Sequence, residues 1–341
     1  MYGVLLAFAA AVLFGASVPA SKLLLQSFDP LQLAGLLYLG AAIAVAPVVS
    51  TERRRFGRVT PDRVSRVRII GVVILGGMVG PILLLAAFRL ATAGAVALLL
   101  NFEIVATAVL GAALFHEHVG RGAWLGVVGI VAASALLCGE AGRPGAAAAL
   151  LVLAACTCWG IDNHLSALID GMTPARSTLW KGAVAGAINL ALGVAVAPVR
   201  ASAAAFVGAI AVGAASYGAS IALHTAAAQR VGAIRAQGVF ASAPFVGAAL
   251  SVAIFGEQVT ALQVTATALL LISVVLVVVS QHAHQHAHGV IEHIHAHTHD
   301  DGHHLHEHAD PVLAAHTHWH RHDAVVHEHP HWPDLHHRHS H

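Results

Sequence analysis

Charge is what this sequence has least of. Only 10% of its 341 residues are Asp, Glu, Lys or Arg, against roughly a quarter in an ordinary soluble domain. Too little charge remains to cover a water-facing surface, which argues against a soluble fold of this length. Cysteine is nearly absent too: Cys138, Cys156 and Cys158 all lie in apolar stretches, and Cys156-x-Cys158 lacks the spacing of a redox or zinc CxxC pair. A glycine-rich run closing on Lys-Ser or Lys-Thr is missing, which argues against ATP as an energy source. No Ser-His-Asp, Cys-His or paired-carboxylate set falls on one helix face, so an enzyme is the least expected reading. There is no Lys or Arg before Lys22, hence no charged n-region of a cleaved signal, and the first apolar run reads as a retained helix.

What the sequence has instead is apolar length, with 57% hydrophobic residues and a mean hydropathy of +0.74. A membrane-spanning helix needs about 20 mainly apolar residues. Charges, prolines and glycines divide the chain up to Ser280 into ten such runs: 4–25, 31–49, 69–88, 94–115, 122–138, 146–168, 176–198, 204–227, 232–255 and 260–280. The expected fold is an all-α integral membrane bundle. Helices in lipid associate through close backbone approach at small residues, and Gly76/Gly80, Gly122/Gly126 and Gly182/Gly186 have the spacing for it.

Basic residues set the expected orientation. Arg53, Arg54, Arg55, Arg58, Arg63, Arg66 and Arg68 crowd the segment between the second and third runs, and Arg121, Arg176, Lys181, Arg230 and Arg235 fall on the same side. Lys22, Arg89, Arg143 and Arg200 fall on the other. The positive-inside rule then predicts a multi-pass inner-membrane protein with both termini cytoplasmic.

The apolar part repeats itself. Gly94-Ala95-Val96 matches Gly232-Ala233-Ile234, Phe115-His116-Glu117 matches Phe255-Gly256-Glu257, and Phe14-Gly15-Ala16-Ser17 resembles Trp159-Gly160-Ile161-Asp162. The offsets cluster near about 140 residues, or five spans. Five is odd, so the second copy would enter the membrane from the opposite side. Such inverted repeats are the architecture of alternating-access transporters, with the site where the halves meet. The expected organisation is a first five-helix repeat over 1–140, a second over 141–280, and a tail over 281–341.

At these residues the sequence resembles the drug/metabolite transporter superfamily, EamA type. The runs FGASVPASKLLL, FHEHVGRGAWLGVVGIVAASALL and ASAPFVGAALSVAIFGEQVTALQ carry the likeness. More narrowly it is similar to a bacterial branch with a histidine-rich C-terminus, through LLLNFE, WGIDN, WKGAVAGAINL and PDLHHRH. The resemblance implies ten helices in a five-plus-five inverted repeat and transport of small organic solutes such as amino acids, metabolites or drugs. Many members have Pro where this chain reads Phe102-Glu103-Ile104, while Pro244 is kept in the second half.

Ionisable groups inside a span are costly and mark pathways or pairs. Glu103 sits near the middle of its run, with Asp162 and Lys181 nearer one end, and Lys181 is a candidate partner for Glu103 although a snorkelling stem would also suit it. Asn163, Asn189 and Gln237 complete the expected substrate cavity as neutral donors and acceptors. His164 and His224 read as satisfied buried imidazoles, and His116 and His118 as solvated.

The tail is a different material. Residues 281–341 carry a formal charge of about −6, against about +7 on the rest, and hold 23 of the 27 histidines. His-x-His steps recur at His282, His284, His286 and His288, at His293, His295, His297 and His299, and at His316, His318, His320 and His322. Alternate residues of an extended chain share a side, and neutral imidazole suits zinc, nickel and copper. The expectation is a tail disordered without metal that binds divalent metal ions, while transport itself needs no cofactor. Expected partners are a small-molecule substrate, the lipid bilayer and metal, not nucleic acid, with a homodimer left open. Two alternatives stand beside the organic-solute transporter: a nickel, cobalt or zinc transporter fed by the tail, and a metal-responsive regulatory membrane protein without flux.

Overall fold

The computed structural model describes residues 2–56, 61–115, 119–140, 142–169, 172–279, 282–288, 291–297, 316–322 and 325–331. Among the described residues, eight helical stretches are long and apolar enough to cross a membrane by length and composition, and two shorter apolar ones, Arg121–Leu136 and Ala261–Val277, accompany them. Large apolar side chains on the outside, such as Leu125, Val128, Leu150, Val196 and Val207, would be a liability in water and fit a lipid-facing surface.

The first half runs α1 (Tyr2–Leu24), α2 (Pro30–Phe56), then α3 (Arg63–Gly71) continuing through a π-helical stretch π1 (Val72–Val79) into α4 (Gly80–Leu90). It closes with α5 (Ala93–Leu99), α6 (Phe102–Leu114) and α7 (Arg121–Glu140). The second half runs α8 (Gly142–Ala167), α9 (Pro174–Val196), α10 (Ala203–Val212), π2 (Gly213–Ala219), α11 (Ser220–Val231), α12 (Ala233–Phe240), α13 (Ala243–Phe255) and α14 (Ala261–Val279).

The sequence repeat has a structural counterpart in two irregularities. Both long third segments pass through a π-helix, at Val72–Val79 and Gly213–Ala219. Both fourth segments break, at Leu100–Asn101 and at Ala241–Ser242. Even the bond that closes the break recurs: Asn101 Nδ2 donates to Leu98 O at 3.0 Å, and Ser242 Oγ to Val239 O at 2.9 Å. In the second half Pro244 has no N–H to continue the ladder. Glu103 is the second residue of α6 as Pro244 is of α13, and there the helix restarts without a proline, the Glu103 N–H turning back to Leu100 O at 3.0 Å.

Close approach follows the glycines. On α9, a Cβ at Gly182 would meet Tyr38 O at 2.7 Å and one at Gly186 would meet Leu39 N at 2.8 Å, so α2 and α9 cross backbone to backbone. Gly126 of α7 is equally tight on α14, 2.5 Å from Ser273 O. Each π-helix packs on the second helix of the other half, π1 on α9 and π2 on α2. The halves are therefore interleaved rather than merely adjacent.

Two segments carry regular structure beyond the apolar runs. The arginine segment is largely helical: α2 runs on to Phe56 and α3 starts at Arg63. Arg is a good helix former, and the Asp62 carboxylate caps α3 by accepting from Ser65 N at 2.8 Å. The described residues of the tail form four strands, β1 (His282–His288), β2 (Ile291–His297), β3 (His316–His322) and β4 (Val325–His331). Alternation with a period of two is a strand pattern as well as a low-complexity one. β1 pairs antiparallel with β4, with His284 opposite His329, and β2 with β3, with His295 opposite His318. His299, like His116, Glu117 and His118, lies outside the described residues.

Candidate functional site

The six cavity residues read from the sequence are all buried: Glu103 7% exposed, Asp162 5%, Asn163 6%, Lys181 4%, Asn189 0% and Gln237 2%. They form two clusters and one outlier, because neighbouring helix positions point in different directions. Asp162 and Asn163 are adjacent on α8, yet Asp162 serves α9 and Asn163 serves α6 and α12.

In the first cluster the Asn163 amide lies 3.0 Å from Glu103 Oε1, 3.2 Å from Thr107 Oγ1 and 3.1 Å from Gln237 Oε1. Asn163 thus stitches the broken helix of one half to the broken helix of the other. Thr107 was not singled out in the sequence, although it stands four residues after Glu103 and so on the same face. His164 Nε2 lies 2.8 Å from Thr107 O and the ring stacks on Phe115 at 4.5 Å. A carbonyl only accepts, so Nε2 carries the proton, and the satisfied-imidazole reading holds for His164. His224 differs: it packs on the Phe240 ring at 4.7 Å, and its Nε2 has no hydrogen-bond partner among the described residues.

In the second cluster Lys181 Nζ donates to Asp162 Oδ2 at 2.5 Å, and Ser166 Oγ donates to Asp162 Oδ1 at 3.3 Å. Lys181 therefore does not pair with Glu103, and it does not snorkel. The pair packs against π1, where a Cβ at Gly76 would run into the Asp162 carboxylate. Gly76 O in turn accepts from Tyr38 OH at 2.5 Å and from Trp159 Nε1 at 3.2 Å. Asn189 stands two helical turns beyond Lys181 and donates to Gly77 O at 3.0 Å, and its Oδ1 is unpartnered among the described residues.

Aromatic rings close the centre. Phe14 lies 6.4 Å from Trp159, 5.6 Å from Tyr217 and 5.4 Å from Phe240, centre to centre. Phe14 and Trp159 are the two residues that the sequence repeat equates, so the halves meet here. No group of three or more His, Cys, Asp or Glu positioned for a metal ion is found among the described residues.

The model of the EamA-like transporter family matches residues 1–139 and 146–279, one match on each half of the helical part. No curated protein matches the chain. A solved structure described only as "Crystal structure of protein" is similar with a TM-score of 0.60 and 15% identity, covering 81% of this chain and 96% of that one; at that identity the likeness speaks to the fold alone. With its two matched stretches, its apolar helices and its paired broken segments, the chain belongs to the EamA-like transporter family.

Proposed function

We propose that this protein is a secondary transporter of a small organic solute, such as an amino acid, metabolite or drug, working by alternating access between two inverted five-helix repeats in the inner membrane, with both termini cytoplasmic. The observation that carries the reading is the Asn163 amide, which ties Glu103 of one broken helix to Gln237 of the other. Broken helices at a repeat interface are where transporters hold substrate, because backbone irregularity is tolerated only around a protein or water-lined cavity.

Glu103 takes the role of the ionisable group that either exchanges a proton or meets a charged part of the solute. The Asp162–Lys181 pair is a second charged element that opens as the solute enters. The chain is not an enzyme on this reading, and transport itself uses no cofactor. Efflux and uptake in sealed vesicles across amino acids, metabolites and cationic drugs test it. Glu103→Gln, which keeps an oxygen for Asn163 but cannot ionise, inserts normally and loses most flux; normal flux with normal pH dependence in that variant removes the site from this place.

The tail adds a metal-binding element of zinc, nickel or copper. What supports this is the strand register, in which histidine positions of β1 face those of β4 and histidine positions of β2 face those of β3. A metal transporter or a flux-free metal sensor would share that tail. Transport of metal in the vesicle assay favours the first, and absence of flux for every solute and metal favours the second.

A further inference from the structure

The histidines of the tail repeat as a unit. The spacing His-x-His-x-His-x-His, four other residues, His-x-His-x-His spans 282–297, and it returns thirty-four residues later over 316–331, so two copies carry seven histidines each at matching positions. β1 and β3 are the four-histidine blocks of the two copies, and β2 and β4 the three-histidine blocks. The copies pair antiparallel, which sets each four-histidine block against a three-histidine block: β1 against β4 and β3 against β2. In the first ladder His282, His284 and His286 stand opposite His331, His329 and His327. In the second His316, His318 and His320 stand opposite His297, His295 and His293. Even the unmatched position recurs, with His288 opposite Val325 and His322 opposite Ile291. The two ladders are therefore equivalent when the copies are exchanged.

Alternate residues of a strand share a face, so each ladder places its seven histidines on one face. This depends on a change of phase. Histidine takes even positions in β1 and odd ones in β2, then even ones in β3 and odd ones in β4. Between the ladders both limbs advance by three residues, from His288 to Ile291 and from Val325 back to His322, so the phase changes at the same level in both. A change in one limb alone would set every histidine of one ladder opposite another residue type. The other face of the second ladder supports the same register: Glu292 stands opposite Arg321 and Ile294 opposite Trp319. An opposite-charge pair and an aromatic pair with a β-branched residue are of the kind that stabilises an antiparallel ladder.

Building on the metal-binding reading of the tail, we infer that it holds two equivalent sites for a borderline divalent metal ion such as zinc, nickel or copper, one on each ladder, and that an ion at either site takes at least one imidazole from each strand. Opposite positions have Cβ atoms about 4.5–5.5 Å apart, whereas same-face neighbours along one strand are about 6.8 Å apart at a rise of about 3.4 Å per residue. An ion that holds each nitrogen at about 2.0–2.1 Å is thus reached more easily across the ladder than along it. Bound there it ties one copy of the repeat to the other, and its binding free energy becomes folding free energy of the strand pair.

Zinc bound per chain, measured by equilibrium dialysis of the full-length protein in detergent, tests this with His→Gln replacements made a strand at a time. Gln keeps a polar side chain but offers no imidazole nitrogen. Replacing the histidines of β1 and β4 removes seven, and so does replacing those of β1 and β2. The first variant keeps the β2–β3 ladder and should keep half of the zinc held by the four strands. The second leaves neither ladder with histidines on both strands, and should fall to the level of a chain in which all four strands are replaced. Replacing β2 and β3 should match the β1 and β4 variant, because the ladders are equivalent. Equal retention by the β1–β4 and β1–β2 variants would mean that ions are held along single strands, and it overturns the inference while leaving the metal-binding reading in place. Unequal retention by the β1–β4 and β2–β3 variants overturns the equivalence of the two sites. If the native chain binds no more zinc than the chain with all four strands replaced, the metal-binding reading of these strands falls and the inference with it.

Discussion

Breaking the Asp162–Lys181 pair from one side should be among the most damaging single changes available to this protein. Both side chains are nearly sealed, at 8% and 5% exposed, with the ammonium and carboxylate 2.5 Å apart. Removing one partner of such a pair leaves an uncompensated buried charge and costs about 3–5 kcal/mol, whereas replacing both by groups of similar volume is often neutral. Asp162→Asn and Lys181→Met should each destabilise on that scale, and the double variant should recover most of it. Gly76→Ala offers an independent route, because its Cβ would occupy the space of the carboxylate and force the pair apart without removing a charge. Unfolding in detergent, followed by thermal or denaturant melts, reads all four. If the single variants cost less than about 1 kcal/mol, as for an exposed pair, the pair is solvated and the buried site is wrongly drawn. The double variant also separates stability from function: it should be folded and, on the proposed reading, deficient in flux, since the pair assigned to respond to solute is gone.

The tail should bind several zinc or nickel ions at neutral pH and release them as imidazole protonates below about pH 6; calorimetry on the full chain and on a version ending at Ser280 checks it, and equal binding by the two refutes it. Asp62→Ala should loosen the start of α3 by about 0.5 kcal/mol, the low end for a lost N-cap, as seen in hydrogen exchange of the Val64–Arg66 amides. The hydrogen bonds from Ser65, from its side chain and then its backbone, hold the Asp62 carboxyl below the usual carboxylate range. That contribution is therefore present above the unfolded-state value and lost only as pH falls through the lowered one, so α3 should fray in acid in the native chain and show no such step in Asp62→Ala.

The placement of the apolar helices was legible because lipid imposes it: a run of apolar residues bounded by Asp29-Pro30 or Gly256-Glu257 has few alternatives. The observed ends differ from the expected spans chiefly in the arginine segment, where helix propensity continues α2 past the apolar run and a cap starts α3 before the next. The buried polar residues were legible for the same reason, since Glu103, Asp162, Lys181, Asn163, Asn189 and Gln237 stand out in an apolar background. Their pairing was not. Whether Lys181 meets Glu103 or Asp162 depends on the rotation of α8 and α9 about their axes, and glycine contacts such as Gly182 on Tyr38 O set that rotation. Thr107, Trp159 and Tyr38 were missed because a neutral or aromatic residue in a helix carries no signal until its partner is known.

The two π-helices left no mark that hydropathy reads, yet they explain why the charged pair can exist. A π turn is wider than an α turn and misaligns the backbone ladder, and here it coincides with Gly76 and Gly77, whose carbonyls take extra donors from Tyr38, Trp159 and Asn189. The absent side chain at Gly76 is the space that the Asp162 carboxylate uses. In the second half the matching stretch holds Tyr217 and Gly218, and Gly218 lies against Ala41 of α2 with no ion pair beside it among the described residues. Sequence symmetry therefore reproduces the backbone device in both halves while the chemistry is installed in one: Glu103 stands where the other half has Pro244, and Asp162 where it has Ser17. On the transport reading proposed above, symmetric hinges would serve two mirrored conformations, while charged groups that meet a solute would be needed in one half alone.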